Sequence, residues 1–160
     1  MKGTAIYFQF EADYIGTLRC IPMSIRFKLD AAGLKLKLSQ WARLGQEDRR
    51  ALAETPCDTA EEVDSFRIFL SDLVRESIGE SLSNLPAEYD SDWKKESAPV
   101  LVLARADKIG VAISQDQWAA LLPLQRFALV KLVRPGHGGH NFRRALEEFG
   151  LLQGHRCQSL

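Results

Sequence analysis

Residues 22–52 read PMSIRFKLDAAGLKLKLSQWARLGQEDRRAL, and residues 99–129 read PVLVLARADKIGVAISQDQWAALLPLQRFAL. Laid on one another without a gap, Pro22 meets Pro99, Asp30 meets Asp107 and Gly33 meets Gly110. Gln40-Trp41-Ala42 falls on Gln117-Trp118-Ala119, Leu44 on Leu121, Arg49 on Arg126 and Ala51-Leu52 on Ala128-Leu129. That is about ten identities over a window of about 33 residues, where average residue usage gives roughly two by chance. With one residue of gap, Phe66-Arg67 then meets Phe142-Arg143 and Leu70 meets Leu146. The pattern predicts an internal duplication, too short in copies to make a solenoid.

Each copy reads as helices. Pro22 and Pro99 suit the first helical turn, where a missing N–H costs nothing. Gly33 and Gly110 sit where a left-handed residue ends a helix. Ser39 and Asp116 are the predicted N-caps of short helices carrying Trp41 and Trp118. Residues 46–55 and 123–133 give the next helix, with Pro56 and Pro135 just beyond. Thr59 with Glu62 has the form of a capping box. It opens a helix whose apolar stripe is Val63, Phe66, Leu70 and Leu73, thickened by Phe69 and Val74. In the second half Phe142, Ala145, Leu146 and Phe149 repeat the stripe and Gly150 stops it. Ala5 to Phe10 alternates like a short strand. The expected fold is all-α, or mostly helical. It is a single domain over 1–160 built from two duplicated multi-helix repeats related by a pseudo-twofold. The first repeat spans about 22–78 and the second about 99–150, with a linker at about 79–98 that Trp93 pins to the core.

Composition narrows the function classes. Of 160 residues, 46% are hydrophobic and 26% charged, an ordinary globular balance. Twenty-one Lys and Arg offset 21 Asp and Glu, for a formal net charge of zero. No global basic field exists to draw in nucleic acid or an acidic membrane surface, and little charge opposes self-association into a homo-oligomer. No apolar run approaches the ~20 residues of a membrane span. The N-terminal stretch lacks the apolar core of a signal peptide. The chain reads as cytoplasmic, where Cys20, Cys57 and Cys157 are not expected to form a disulfide framework.

Chemistry-bearing residues are scattered. Cys20 and Cys57 each lie close to a proline without CxxC spacing, which suits small buried hydrophobic side chains near a helix boundary better than zinc ligands. GHGGHNF at 136–142 carries His137 and His140 three apart, with His155 and Cys157 further on. The intervening glycines argue for a loop running into a helix, capped by His140 or Asn141. Phosphate cradling there, helped by Arg143 and Arg144, lacks a GxGxxG or P-loop pattern. The expectation is no catalytic residue, no bound cofactor, no metal ligand and no enzymatic activity. Arg19, Arg26, Lys28, Lys35 and Lys37 form a local basic cluster, the candidate docking surface for an acidic protein partner.

One stretch goes further. Phe10-Glu11-Ala12-Asp13, Leu18, Cys20-Ile21-Pro22-Met23, Arg26, Lys28-Leu29-Asp30, Gly33, Trp41 and then Pro56-Cys57 resemble the opening signature of the conserved nitrate reductase-associated proteins. The resemblance implies an accessory protein of a cytoplasmic, assimilatory nitrate reductase. Such a factor acts by protein–protein binding in maturation, stabilisation or coupling to an electron donor. A rival reading is a helical domain that binds a small ligand or metal, or an enzyme, using the His137–His140 loop.

Overall fold

The computed structural model describes residues 7–12, 16, 18–86, 92–134 and 139–152. The described residues are mostly helical. In order they form α1 (Met23–Ala32), β1 (Leu34–Lys35), α2 (Leu38–Arg43), α3 (Gln46–Glu54), α4 (Ala60–Ile78), β2 (Ser83–Asn84), α5 (Val100–Lys108), α6 (Gln115–Ala120), α7 (Pro123–Leu132) and α8 (Gly139–Glu148). Single 3-10 turns occupy Gln9–Glu11 and Asp92–Lys94. The chain divides into two compact units, one of 1–7 and 11–89, the other of 8–10 and 90–160.

In the first unit α1, α2 and α3 all pack against α4. The core gathers Ile25 and Leu29 of α1, Trp41, Leu52, and Phe66, Leu70 and Val74 of α4. The i, i+4, i+8 spacing of those last three puts them on one face. Val63 and Leu73 pack against the same cluster. Phe69 leaves the predicted stripe: it is 37% exposed, one helical step round from Leu70. Thr59 caps α4 as expected, its hydroxyl accepting the Glu62 N–H at 3.1 Å. Gly79, at φ +76°, ends the helix. The expected strand at Ala5–Phe10 is corrected over its described part, where Gln9–Glu11 is a 3-10 turn. Instead β1 and β2 pair antiparallel, Leu34 opposite Asn84 and Lys35 opposite Ser83. Part of the expected linker is thereby folded onto the first unit.

In the second unit Trp118, Phe127, Phe142 and Leu146 are fully buried. Phe8, Phe10 and Phe149 form an aromatic cluster there, Phe8 stacked on Phe10 at 5.2 Å and edge-on to Phe149 at 5.1 Å. Trp93 packs edge-on against Phe127 at 6.1 Å, so the residues just before α5 are held to the core as expected.

The helix starts needed correction. Pro22 and Pro99 stand at the N-cap, one residue before the first turn, with ψ of 154° and 145°. α2 starts after Lys37 and α6 after Ser114, not at Ser39 and Asp116. The extended stretch that precedes each helix ends sooner than composition suggests. Ser114 makes a full capping box: its hydroxyl accepts the Gln117 N–H at 3.1 Å, and Gln117 Oε1 accepts the Ser114 N–H at 2.8 Å. At α2 only the return half exists, Gln40 Oε1 accepting the Lys37 N–H at 3.0 Å. α8 begins at Gly139, so His140 and Asn141 lie inside its first turn and do not cap it.

Several contacts recur 77 residues apart. Arg49 Nε donates to the Trp41 carbonyl at 3.1 Å and Arg126 Nε to the Trp118 carbonyl at 3.1 Å. Arg49 Nη2 reaches the Ala42 carbonyl at 2.8 Å, and Arg126 Nη2 the Ala119 carbonyl at 2.9 Å. Each guanidinium sits 5.6 Å from the centroid of its own tryptophan. The Trp41 indole N–H donates to the Leu18 carbonyl and that of Trp118 to the Lys95 carbonyl. Gly33 and Gly110 both take positive φ, 68° and 79°.

Each arginine therefore closes the C-terminus of a six-residue helix, whose last carbonyls have no partner within the helix. Arg49→Met keeps the stem over Trp41 and removes the donors. It is expected to cost about 2 kcal/mol in urea unfolding. Arg49→Lys should recover less than half, because a point charge cannot serve spread carbonyls as a planar fork does. A midpoint unchanged in Arg49→Met would show the bonds to be dispensable.

Candidate functional site

From Glu11 onward, the described residues of the signature-like stretch lie in the first unit, while Phe10 belongs to the second and Asp13 lies outside the described residues. Pro22 heads α1 but its side chain cannot accept a hydrogen bond. The Glu11 carboxylate does so instead: Oε1 accepts the Met23 N–H at 2.7 Å, with Glu11 fully buried. An acceptor carrying negative charge suits a helix N-terminus, where unpaired N–H groups and the dipole both favour an anion. Tyr7 reports the same field. Its phenol is pushed above its usual range by burial and then by the negative charges of Glu54 and Glu11.

Leu18 is the one described non-glycine residue with positive φ, at 53°. Its side chain is buried, and its carbonyl accepts from the Trp41 indole at 2.8 Å and Arg49 Nη1 at 3.2 Å. A left-handed leucine costs about 1–2 kcal/mol, and burial plus two donors hold it there.

Lys28 lies half-buried on α1 with its ammonium under the C-terminus of α3. Nζ donates to the carbonyls of Leu52 at 3.1 Å, Ala53 at 2.8 Å and Thr55 at 2.6 Å. It also stands 5.9 Å from the centroid of the Phe66 ring. Burial lowers its pKa, partly countered by Cys57 and Asp58. Cys57 follows Pro56, with Sγ 4.0 Å from the Lys28 carbonyl. Burial raises its thiol to about 11, against the pull of the Lys28 charge. Gly33 ends α1, and Arg67 of α4 donates to the Ala32 carbonyl and to Asn84 Oδ1 at 3.1 Å, tying α1 and β2 together.

The structure distributes the five cations of the predicted docking surface unevenly. Lys28 is spent on α3, and the half-buried Arg26 turns back, Nε donating to the Ile21 carbonyl at 3.1 Å. Arg19, Lys35 and Lys37 are exposed. Lys35 and Lys37 alternate with buried Leu34 and Leu36, so both point away from the core on the same side. Sequence reasoning did not assign Glu11, Arg49 or Arg67 a role. The recurrence of Arg49 as Arg126 was the available signal; nothing marks Glu11 as buried.

Among the described residues no three or more His, Cys, Asp and Glu side chains gather as a metal site. The expectation of buried thiols is corrected: Cys20, in the turn before Pro22, is exposed and Cys57 is only half-buried. His137, His155 and Cys157 lie outside the described residues. A polar pocket of about 430 Å³ in the second unit is lined by Gln9, Phe10, Arg144, Glu147 and Glu148, and Glu148 Oε1 already accepts the Phe10 N–H at 3.2 Å.

The two described thiols should separate cleanly. Brief iodoacetamide treatment at about pH 8 followed by peptide mapping is expected to modify Cys20 well before Cys57, because a thiol raised to about 11 holds few thiolates there. Cys57 also sets a sign for stability. The folded state keeps its proton more tightly, so stability is intact below about 9 and is lost as pH rises toward about 11. Cys57→Ala should flatten that loss. Equal labelling of both cysteines would contradict this placement.

No curated protein matches the chain, and no solved structure matches it. The family model described as "conserved nitrate reductase-associated protein" matches residues 7–149. The matched span runs from Tyr7, beside buried Glu11, to Phe149 in the aromatic cluster of the second unit. The chain therefore belongs to the conserved nitrate reductase-associated protein family.

Proposed function

We propose that this protein is a non-catalytic accessory factor of a cytoplasmic, assimilatory nitrate reductase and works by binding it. Membership of a family described by its association with nitrate reductase, over residues 7–149, carries this reading. The roles of the signature-like residues support it: Glu11, Leu18, Lys28, Gly33 and Trp41 serve helix ends and core. A stretch shared because it makes the fold fits a protein whose product is a shaped surface. Among the described residues no helix is long and apolar enough to cross a membrane.

The docking surface of this reading is the exposed cationic edge of Lys35 and Lys37, with Arg19. Exposed like charges add little to stability and mainly speed and orient encounter with an acidic face. We also infer that the halves descend from one ancestral unit. Support comes from the identities and from the paired Trp41–Arg49 and Trp118–Arg126 arrangements. A twofold relation between the copies belongs to the same proposal, and a crystal structure measures it.

The test combines genetics with capture. A strain lacking the gene should lose nitrate reductase activity and grow poorly on nitrate, and the tagged protein should recover the reductase from nitrate-grown cells. Lys35→Glu with Lys37→Glu should weaken recovery at least tenfold with an unchanged melting temperature. Recovery should also fall as salt shortens the screening length below ~8 Å. Normal growth together with no reductase on the bait would end the accessory reading.

A further inference from the structure

The second half of the chain shows which side chains the stretch from β1 into α2 needs for folding and which it does not. In both halves a left-handed glycine, Gly33 or Gly110, is followed by an extended stretch and then by a six-residue helix that carries the tryptophan. Leu34 and Val111 are buried. Lys35, Lys37 and Leu38 are exposed, and so are their counterparts 77 residues on, Ala112, Ser114 and Gln115. Two of these counterparts work for the fold: Ser114 caps α6 through its hydroxyl, and Gln115 Nε2 donates to the Glu96 carbonyl. The first half gives both up. Lys37, at the N-cap of α2, has no side-chain oxygen for the N–H groups there, and its cation stands at the positive end of the helix dipole. Leu38 leaves an apolar side chain 55% exposed. Among the described residues no carboxylate pairs with either lysine, and Glu80, which reaches Gln40 of α2, is taken by Arg43. Residues that cost stability, where the equivalent positions show the stabilising choice, mark a surface kept for binding.

We propose that Lys35, Lys37 and Leu38 act as one recognition site, and that the segment of the reductase seated on it carries an apolar side chain flanked by carboxylates. This rests on the reading of the protein as a nitrate reductase binder and names the chemistry of its docking surface. The two lysines project to the same side, ~7 Å apart along the extended chain, with Leu38 next in sequence. The ammonium groups speed and orient the encounter. Exposed ion pairs add little affinity, and removing Leu38 from water supplies it. Two lysines on a chain of zero net charge give little hold on a phosphate backbone, and phosphates gain nothing from a leucine. A protein segment therefore fits better than nucleic acid.

Lys35→Ala, Lys37→Ser and Leu38→Gln together install the second-half residues. The purified triple variant should melt about 2–4 °C above the unsubstituted chain. As a tagged bait in nitrate-grown cells it should recover at least tenfold less reductase. Leu38→Gln alone should cut recovery at least threefold, a loss that charge steering does not produce. A photo-crosslinking amino acid at the exposed position of Ser39 leaves all three side chains in place. Its crosslinks should map to a reductase segment with carboxylates on both sides of an apolar residue. An unsubstituted chain that recovers no reductase would end the accessory reading and this inference with it. With the reductase recovered by the unsubstituted chain, three results would each overturn this inference alone: undiminished recovery by either variant, a triple variant that melts no higher, or crosslinks on nucleic acid or on a segment without carboxylates.

Discussion

A six-residue helix cannot satisfy its own backbone. Four N–H groups at one end and four carbonyls at the other lack partners within it, so almost nothing is left in the middle. Apart from α4, every helix among the described residues has ten residues or fewer, and helices of that length are marginal alone in water. The fold therefore depends on side chains that reach helix ends from elsewhere in the chain. Glu11 closes the start of α1, Arg67 its end, Arg49 the end of α2 and Lys28 the end of α3. Each of these groups is charged and each meets the helix terminus whose partial charge opposes it, which strengthens the bond and fixes its direction.

This dependence spreads the capping groups along the chain. Glu11 and Met23 are 12 residues apart, while Lys28 and Ala53 are 25 apart. Bonds over such distances specify how elements meet, where local caps specify only where a helix begins. Leu18 shows the cost accepted for this. A left-handed leucine is retained because its carbonyl must point at Trp41 and Arg49 together.

What was legible in the sequence follows from range. The helical stripe through Phe66 and Leu70, the stop glycines and the two tryptophan helices are written in spacings of three to four residues, and they stand in the structure. Phe69 looked like part of the stripe because apolar character was counted without the helical angle. Ser39 and Asp116 looked like caps because composition favours them, yet the cap falls where the extended segment ends, at Lys37 and Ser114. The alternation before Phe10 resembled a strand, but Phe8 and Phe10 pack against Phe149, and no local pattern announces a contact that distant. The basic cluster was readable as charge only. That Lys28 would lie under three carbonyls depends on α3 ending above α1, which is a tertiary fact.

The two halves diverge where they most resemble each other. The carbonyl at Leu18 takes both Trp41 and Arg49, and the side chain that carries it is buried. Its counterpart 77 residues on, Lys95, offers its carbonyl to Trp118 and carries an exposed side chain that pairs with Asp92. Cys57 behind Pro56 has its Sγ 4.0 Å from the Lys28 carbonyl, whereas the residue 77 positions on is Arg134. At the head of the first long-range-capped helix Met23 and Ser24 are covered, while at the same place in the second half Val100 and Leu101 face water. Positions 77 residues apart are thus put to different uses. Polar and charged groups in the first unit are turned inward to close helix ends, and the corresponding helix of the second unit turns apolar groups outward. A change at Glu11 or Lys28 acts on folding before it can act on any partner, whereas a change at Val100 or Leu101 acts on a surface the fold does not need.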